Sequence, residues 1–284
     1  MDILVTSDKK GSNPGGKVRL DYRGSIIDFY LKYAHTSKLK KDVPYLIEHQ
    51  PIYETLTLTL AEKLGLEVPL NFVLDNRENI VNFNFEKGVE KKLDDGRPFY
   101  FVSKLTGLEM DEDTEEAKIM MADEKLYRDL LLIGDVSNKR QNYGLINKEG
   151  NKRILYLDVG CSFVDSTNGI LSQRNESLNL RRTLDGALKN SFKTDYKHAM
   201  HYLSNVGIST NHIEYYKKDV LIMSTLIEDL PDQKISLYPN KPKPLSELLT
   251  EAEIDEIQGT LAINFDKVLR KYSKSKYSEL IIHA

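Results

Sequence analysis

Hydrophobic positions along this chain follow two different periods. Over the first third they recur in short runs near a period of two, the signature of half-buried β-strands. Those runs predict strands at residues 2–6, Lys17–Tyr22, Ile26–Ala34, Val68–Leu74, Val81–Phe85 and Pro98–Leu105. One helix is predicted among them, roughly Tyr45–Leu64, starting after Pro44 and open to interruption at Pro51. In it Leu56, Leu60, Ala61 and Leu64 recur at helical spacing, and Gly65 supplies a stop signal.

After an acidic run, Glu109–Glu116, the period becomes 3.6. It predicts helices at Ala122–Leu132, Ser172–Ser191, Tyr196–Val206, His212–Leu230 and Leu245–Tyr272. Val206–Thr210 and the proline-rich Tyr238–Pro244 read as linkers. One hairpin stands in this second region. A polar loop, Gly134–Asn142, leads into an apolar run; a turn over Asn147–Asn151 returns the chain through Ile154–Leu157 to Asp158. The boundary between the two regimes falls near residues 104–110, giving a β-rich unit over 1–105 and a helical unit over 106–284.

Composition adds limits rather than chemistry. With 284 residues, 40% of them hydrophobic and 29% charged, the chain can bury a sizeable core as one large domain or two lobes. A net charge of -3 argues against a nucleic-acid footprint spread over the surface. No apolar run reaches the length of a membrane span, and the acidic start Met1-Asp2 is not that of a secretion signal. The single cysteine, Cys161, forms no internal disulfide framework, so cytoplasm is the default compartment.

Several segments carry candidate chemistry. Lys10-Gly11-Ser12-Asn13-Pro14-Gly15-Gly16 between two strands is a hairpin tip rich in bare backbone N–H groups, able to lie over a polyphosphate or to serve as a plain flexible turn. Lys32 ends a mostly apolar strand, where it either snorkels outward or meets an anion. Glu54 lies near the start of the predicted helix. Asn142 and Asp158 offer oxygen ligands at the mouth of the later hairpin, a donor set suited to Mg²⁺ carrying phosphates. His198 and His201 lie three apart but have no third ligand nearby, so they read as a helix face. In order, these pieces form a parts list for a nucleoside triphosphate held between two lobes. A lysine fixes the α- and β-phosphates, a helix glutamate holds the lysine, and two oxygen ligands hold the metal.

That order resembles the HipA-like serine/threonine kinases, closest to their small, single-module members. The resemblance runs from about residue 7 to about residue 165. It is carried by Lys10–Lys17, Phe29-Tyr30-Leu31-Lys32, Tyr53-Glu54 through Val68, Ile133-Gly134 through Leu145, and Leu157–Ser162. It implies an α+β, two-lobed protein-kinase-like (HipA/PI-kinase-like) fold, with a β-rich N-lobe and an α-helical C-lobe. It also implies ATP and Mg²⁺ as cofactors. Nucleotide would be bound by Gly11, Ser12, Gly15, Gly16, Lys32 and Glu54, with Val102 and Lys104 of the hinge-like strand; metal would be held by Asn142 and Asp158.

One departure bears on activity. The family's loop reads Asp-Arg-His-x-x-Asn, and counting back from Asn142 places Ser137 at the Asp position, Asn138 at the Arg position and Lys139 at the His position. A serine cannot accept a proton as a carboxylate does. Asp135, two residues earlier, is a candidate substitute base if the loop is re-folded and otherwise part of a solvated loop, and Lys139 is a candidate cation for the transferring phosphoryl group. Three readings stay open: an active atypical kinase acting on a protein hydroxyl, a pseudokinase binding nucleotide or a regulatory partner protein, and a kinase-fold enzyme with another substrate. The partner expected is protein, with no clear nucleic-acid or membrane role, no oligomeric state specified, and a secreted effector as the alternative to a cytoplasmic protein.

Overall fold

The computed structural model describes residues 1–7, 14–34, 46–106, 143–157, 159 and 225–262. They form a mixed α/β architecture around a seven-stranded sheet. Its strands are β1 (Asp2–Ser7), β2 (Gly15–Tyr22), β3 (Ser25–Lys32), β4 (Asn71–Asp75), β5 (Asn82–Phe85), β6 (Phe99–Lys104) and a later strand, β10 (Leu237–Tyr238). The order across the sheet is β10-β4-β6-β3-β2-β1-β5. Pairing is antiparallel except at the two edges, where β5 runs parallel to β1 and β10 parallel to β4.

Alternation in the strands sends Val18, Leu20, Phe29, Leu31, Phe72, Leu74, Tyr100 and Val102 to one face, where they form a fully buried cluster under the connection carrying Val89 and Leu93. The turn between β2 and β3 is two residues long, with Tyr22 opposite Ser25. Arg23 and Gly24 both take positive φ there (55° and 83°), the hand that matches strand twist. Asn76, buried, stabilises the next connection: its amide nitrogen donates to the Asp95 and Arg97 carbonyls, and its oxygen accepts from the Val81 N–H.

The opposite face carries α1 (Gln50–Lys63), preceded by a 3-10 turn at Ile47–His49. Pro51 begins this helix rather than interrupting it, because a proline in the first turn gives up an N–H that has no intrahelical partner. The helix ends as Gly65 predicts. Gly65, at φ 85°, donates to the Glu62 carbonyl and Leu66 to the Ala61 carbonyl, the paired closure of a Schellman motif. Residues on every side of α1 are buried, including Thr55 and Thr57, whose hydroxyls donate to carbonyls four residues back. A helix buried all round has cover on both sides. Here β4 and β6 lie beneath it, and the segment 225–262 supplies further contacts, among them Lys63 Nζ donating to Gln233 Oε1.

Two expectations are corrected in that segment. Tyr238–Pro244 is not a free linker. Leu237 and Tyr238 form β10 on the edge of the main sheet, and β11 (Lys243–Pro244) pairs with β9 (Lys234–Ile235). The Tyr238 ring packs beside Tyr22 and Phe72, its hydroxyl donates to the Asp21 carbonyl at 2.7 Å, and Asn240 donates to Asp75 at 3.1 Å. Nor does one helix begin at Leu245. A 3-10 turn at Leu245–Glu247 comes first, and the helix proper starts at 251 because Thr250 and Glu253 form a reciprocal capping box. Likewise the strand expected from Val68 starts at Asn71, after Pro69.

The later hairpin is present as β7 (Tyr143–Lys148) and β8 (Asn151–Tyr156), joined through Glu149 and Gly150 at positive φ. It docks behind α1. Tyr156 N–H donates to the Glu67 carbonyl at 3.1 Å, and Lys148 Nζ lies 3.0 Å from both Glu67 carboxylate oxygens. Among the described residues no helix is long and apolar enough to cross a membrane.

Candidate functional site

Lys32 is the last residue of β3, and alternation puts its side chain on the α1 face rather than into solvent. Its ammonium lies 2.8 Å from Glu54 Oε2, with the two side chains 5% and 2% exposed. That oxygen meets the ammonium by charge rather than through an aligned hydrogen bond. Gln50 Nε2 donates to the other oxygen, Oε1, at 3.4 Å, and the Lys32 ammonium stands 5.1 Å from the centre of the Phe101 ring. Snorkelling is therefore excluded for Lys32: the charge is kept inside and matched by a helix carboxylate.

The end of the glycine-rich segment lies against the same lysine. Gly15 is registered opposite Lys32, and the Tyr33 N–H donates to the Pro14 carbonyl at 3.1 Å. Both glycines are dictated by close packing. A Cβ on Gly15 would overlap the Leu31 carbonyl oxygen, and one on Gly16 would lie 2.5 Å from the Ser7 carbonyl oxygen. The β1–β2 register shifts between Val5 and Ser7, which brings that carbonyl over Gly16. A cleft of about 460 Å³ opens beside this strand end, between Ser7, Pro14 and Gly15 on one side and Glu90 and Lys92 on the other. Val5 and Leu93 in its wall pack with the core on the face away from Lys32.

Directly opposite residues of antiparallel strands share a face. Lys32 faces Phe101, while Leu31 faces Val102 and Phe29 faces Lys104. Val102 is thus fully buried in the core on the far side of the sheet from the ion pair, and Lys104 is exposed. The structure brings together Gly15, Gly16, Lys32 and Glu54, and does not bring the Val102 or Lys104 side chains to them. Gly11, Ser12, Asp135, Ser137, Lys139, Asn142 and Asp158 lie outside the described residues. Near the last two, the described strands pair Tyr143 with Tyr156. Among the described residues no group of three potential metal ligands occurs.

One part of this site escaped the sequence reading. Glu253, fully buried, accepts from Tyr53 Oη, from Leu46 N–H at 3.3 Å and from His49 Nδ1 at 2.8 Å through one oxygen, and from Thr250 N–H and Oγ1 at 2.8 Å through the other. Burial alone would raise its carboxyl. The hydrogen bonds from His49, Tyr53 and Thr250 outweigh that and hold it at about 2. The signal was readable: Thr250-x-x-Glu253 is a capping box.

No family model matches the chain, and no curated protein matches it. Among solved structures the chain is similar to a Helicobacter pylori proinflammatory kinase, CtkA, over 94% of this chain and 93% of that one, at 11% sequence identity and a TM-score of 0.47. At that level the likeness assigns neither family nor function.

Proposed function

We propose that the chain is a kinase-like, two-lobed protein that binds ATP with Mg²⁺ and transfers a phosphoryl group to a protein hydroxyl. The observation that carries this reading is the buried Lys32–Glu54 pair beside Gly15. Taking two charges out of water costs several kcal/mol per ion, and a buried pair can often be replaced by apolar residues without loss of stability. Fold maintenance is thus a poor reason to keep it. A lysine held by a helix glutamate beside a glycine-rich turn is what fixing polyphosphate requires, since phosphoryl transfer depends mainly on positioning and charge stabilisation. In this reading Lys32 would hold the α- and β-phosphates, Gly11, Ser12, Gly15 and Gly16 would form the cover, and Asn142 with Asp158 would hold Mg²⁺, which when bound would supply charge neutralisation for the transferred group.

Ser137 favours a second reading. With no carboxylate at the position of the family's base, the chain would be a pseudokinase that binds nucleotide or a partner protein without transfer. Two measurements separate the readings. A thermal-shift titration with ATP and Mg²⁺ raises the midpoint for a kinase or a nucleotide-binding pseudokinase, and Lys32→Met abolishes the rise. Radiolabel transfer to generic protein substrates, lost in Asp158→Ala, supports the kinase; binding without transfer supports the pseudokinase. A flat titration with folded protein overturns nucleotide binding in both and leaves only a scaffold for a partner protein.

A further inference from the structure

Between the Lys32–Glu54 pair and the segment 225–262 lies the first turn of α1, whose residues Tyr53 and Glu54 are adjacent but turned to different neighbours. Glu54 meets Lys32, and Tyr53 reaches the Glu253 carboxylate with His49 and Leu46 N–H beside it. Glu253 is itself fixed by the cap it makes with Thr250. We propose that Glu253 is a positioning residue for the lysine site: by holding Tyr53 and His49 it sets the first turn of α1 at the distance where Glu54 can pair with Lys32. The inference rests on the reading of Lys32 and Glu54 as the phosphate-fixing pair.

Three observations support it. The helix start, at His49, makes no side-chain capping hydrogen bond of its own. Among the described residues, every hydrogen bond to Glu253 Oε1 comes from that start or from the residues just before it. Finally, the Glu253 side chain is 0% exposed, so water cannot replace these bonds while the protein stays folded.

The test uses the full chain without nucleotide and measures acylation of Lys32 by a water-soluble amine-reactive ester, scored by peptide mass against exposed Lys17. Wild type labels slowly at Lys32. Glu253→Ala is expected to raise the Lys32 rate about tenfold or more through local opening of α1, and Glu253→Gln by less, since its amide oxygen still accepts the Tyr53 hydroxyl. Tyr238→Ala, whose ring packs with Tyr22 and Phe72 on the sheet face away from α1, is expected to leave the Lys32 rate unchanged. If Glu253→Ala does not fold, Tyr53→Phe removes the hydroxyl alone and is expected to raise the rate as well. A Lys32 rate equal to wild type in folded Glu253→Ala or Tyr53→Phe overturns the proposal, as does an equal rise in Tyr238→Ala. Protection of Lys32 by ATP and Mg²⁺ in the wild type reads the nucleotide site separately, so failure there leaves the role of Glu253 decided on its own result.

Discussion

Replacing Glu54 with alanine while leaving Lys32 in place strands an ammonium in a site where the lysine side chain is 5% exposed. The Phe101 ring, 5.1 Å from the ammonium, offers a weak attraction, and Gln50 reaches the pair through the carboxylate that has been removed. Breaking a buried pair from one side costs about 3–5 kcal/mol, which for a domain of this size lowers the melting midpoint by roughly 10 °C. Removing both charges has a different outcome. Lys32→Met with Glu54→Leu keeps the volume and eliminates desolvation, so the double variant should stay within about 1 kcal/mol of wild type or exceed it. Chemical denaturation of the three proteins measures this directly, and nucleotide titration runs beside it. The double variant is expected to be stable and unable to bind ATP with Mg²⁺. If it is destabilised as much as Glu54→Ala, the pair supports the fold; if it still binds nucleotide, Lys32 does not contact phosphate.

Gly15→Ala forces a methyl group into the Leu31 carbonyl oxygen, so it should cost about 1–3 kcal/mol in urea unfolding; an unchanged midpoint would show that β2 and β3 separate there freely. Tyr238→Ala removes ring contacts with Tyr22 and Phe72 and the bond to the Asp21 carbonyl, about 2–3 kcal/mol in all, while Tyr238→Phe loses about 1 kcal/mol. Equal losses in the two would mean that the hydroxyl, not the ring, holds β10. Glu253 predicts acid sensitivity. Its folded carboxyl sits at about 2 against an ordinary value of 4.5, so its contribution is complete above about pH 4.5 and is lost as pH falls towards 2. On the order of 3 kcal/mol is involved, and Glu253→Gln should flatten the stability profile across that window; a profile as steep as wild type would place the acid response on other carboxylates.

Legibility differed from element to element for physical reasons. β1 to β6 and α1 were readable because each has enough residues to show its own period, and Gly65 punctuates the helix end locally. β10 was not readable. A two-residue strand that runs into Pro239 has no period, and it exists because β4 offers it an edge from more than 160 residues away in sequence. Side-chain parity produced the other gap. Val102 and Lys104 are correctly on a strand next to Lys32, but the register pairs Lys32 with Phe101, so both point to the other face. Periodicity within one strand does not fix its register against a neighbour. Glu253 was hidden by a different effect: the continuous 3.6 spacing from Leu245 masked the cap that divides it.

These gaps share one consequence for the site. Lys32 and Glu54 are both in the first third of the chain, yet the helix carrying Glu54 is held from two sides. The sheet fixes its buried underside, and Glu253, some 200 residues further on, fixes its start. β10 and Asn240 stitch the same late segment to β4, and Lys63 joins it at the other end of α1. Non-local bonds of this kind form only when the chain is complete, so a fragment ending near residue 160 lacks the groups that position Glu54 while keeping every residue of the pair. A desolvated ammonium tolerates little displacement of its carboxylate, since attraction in a buried site falls off against an undiminished desolvation cost. The pair therefore depends on how the start of α1 is held, and the nucleotide chemistry proposed for Lys32 depends on Glu253 some 200 residues away in sequence.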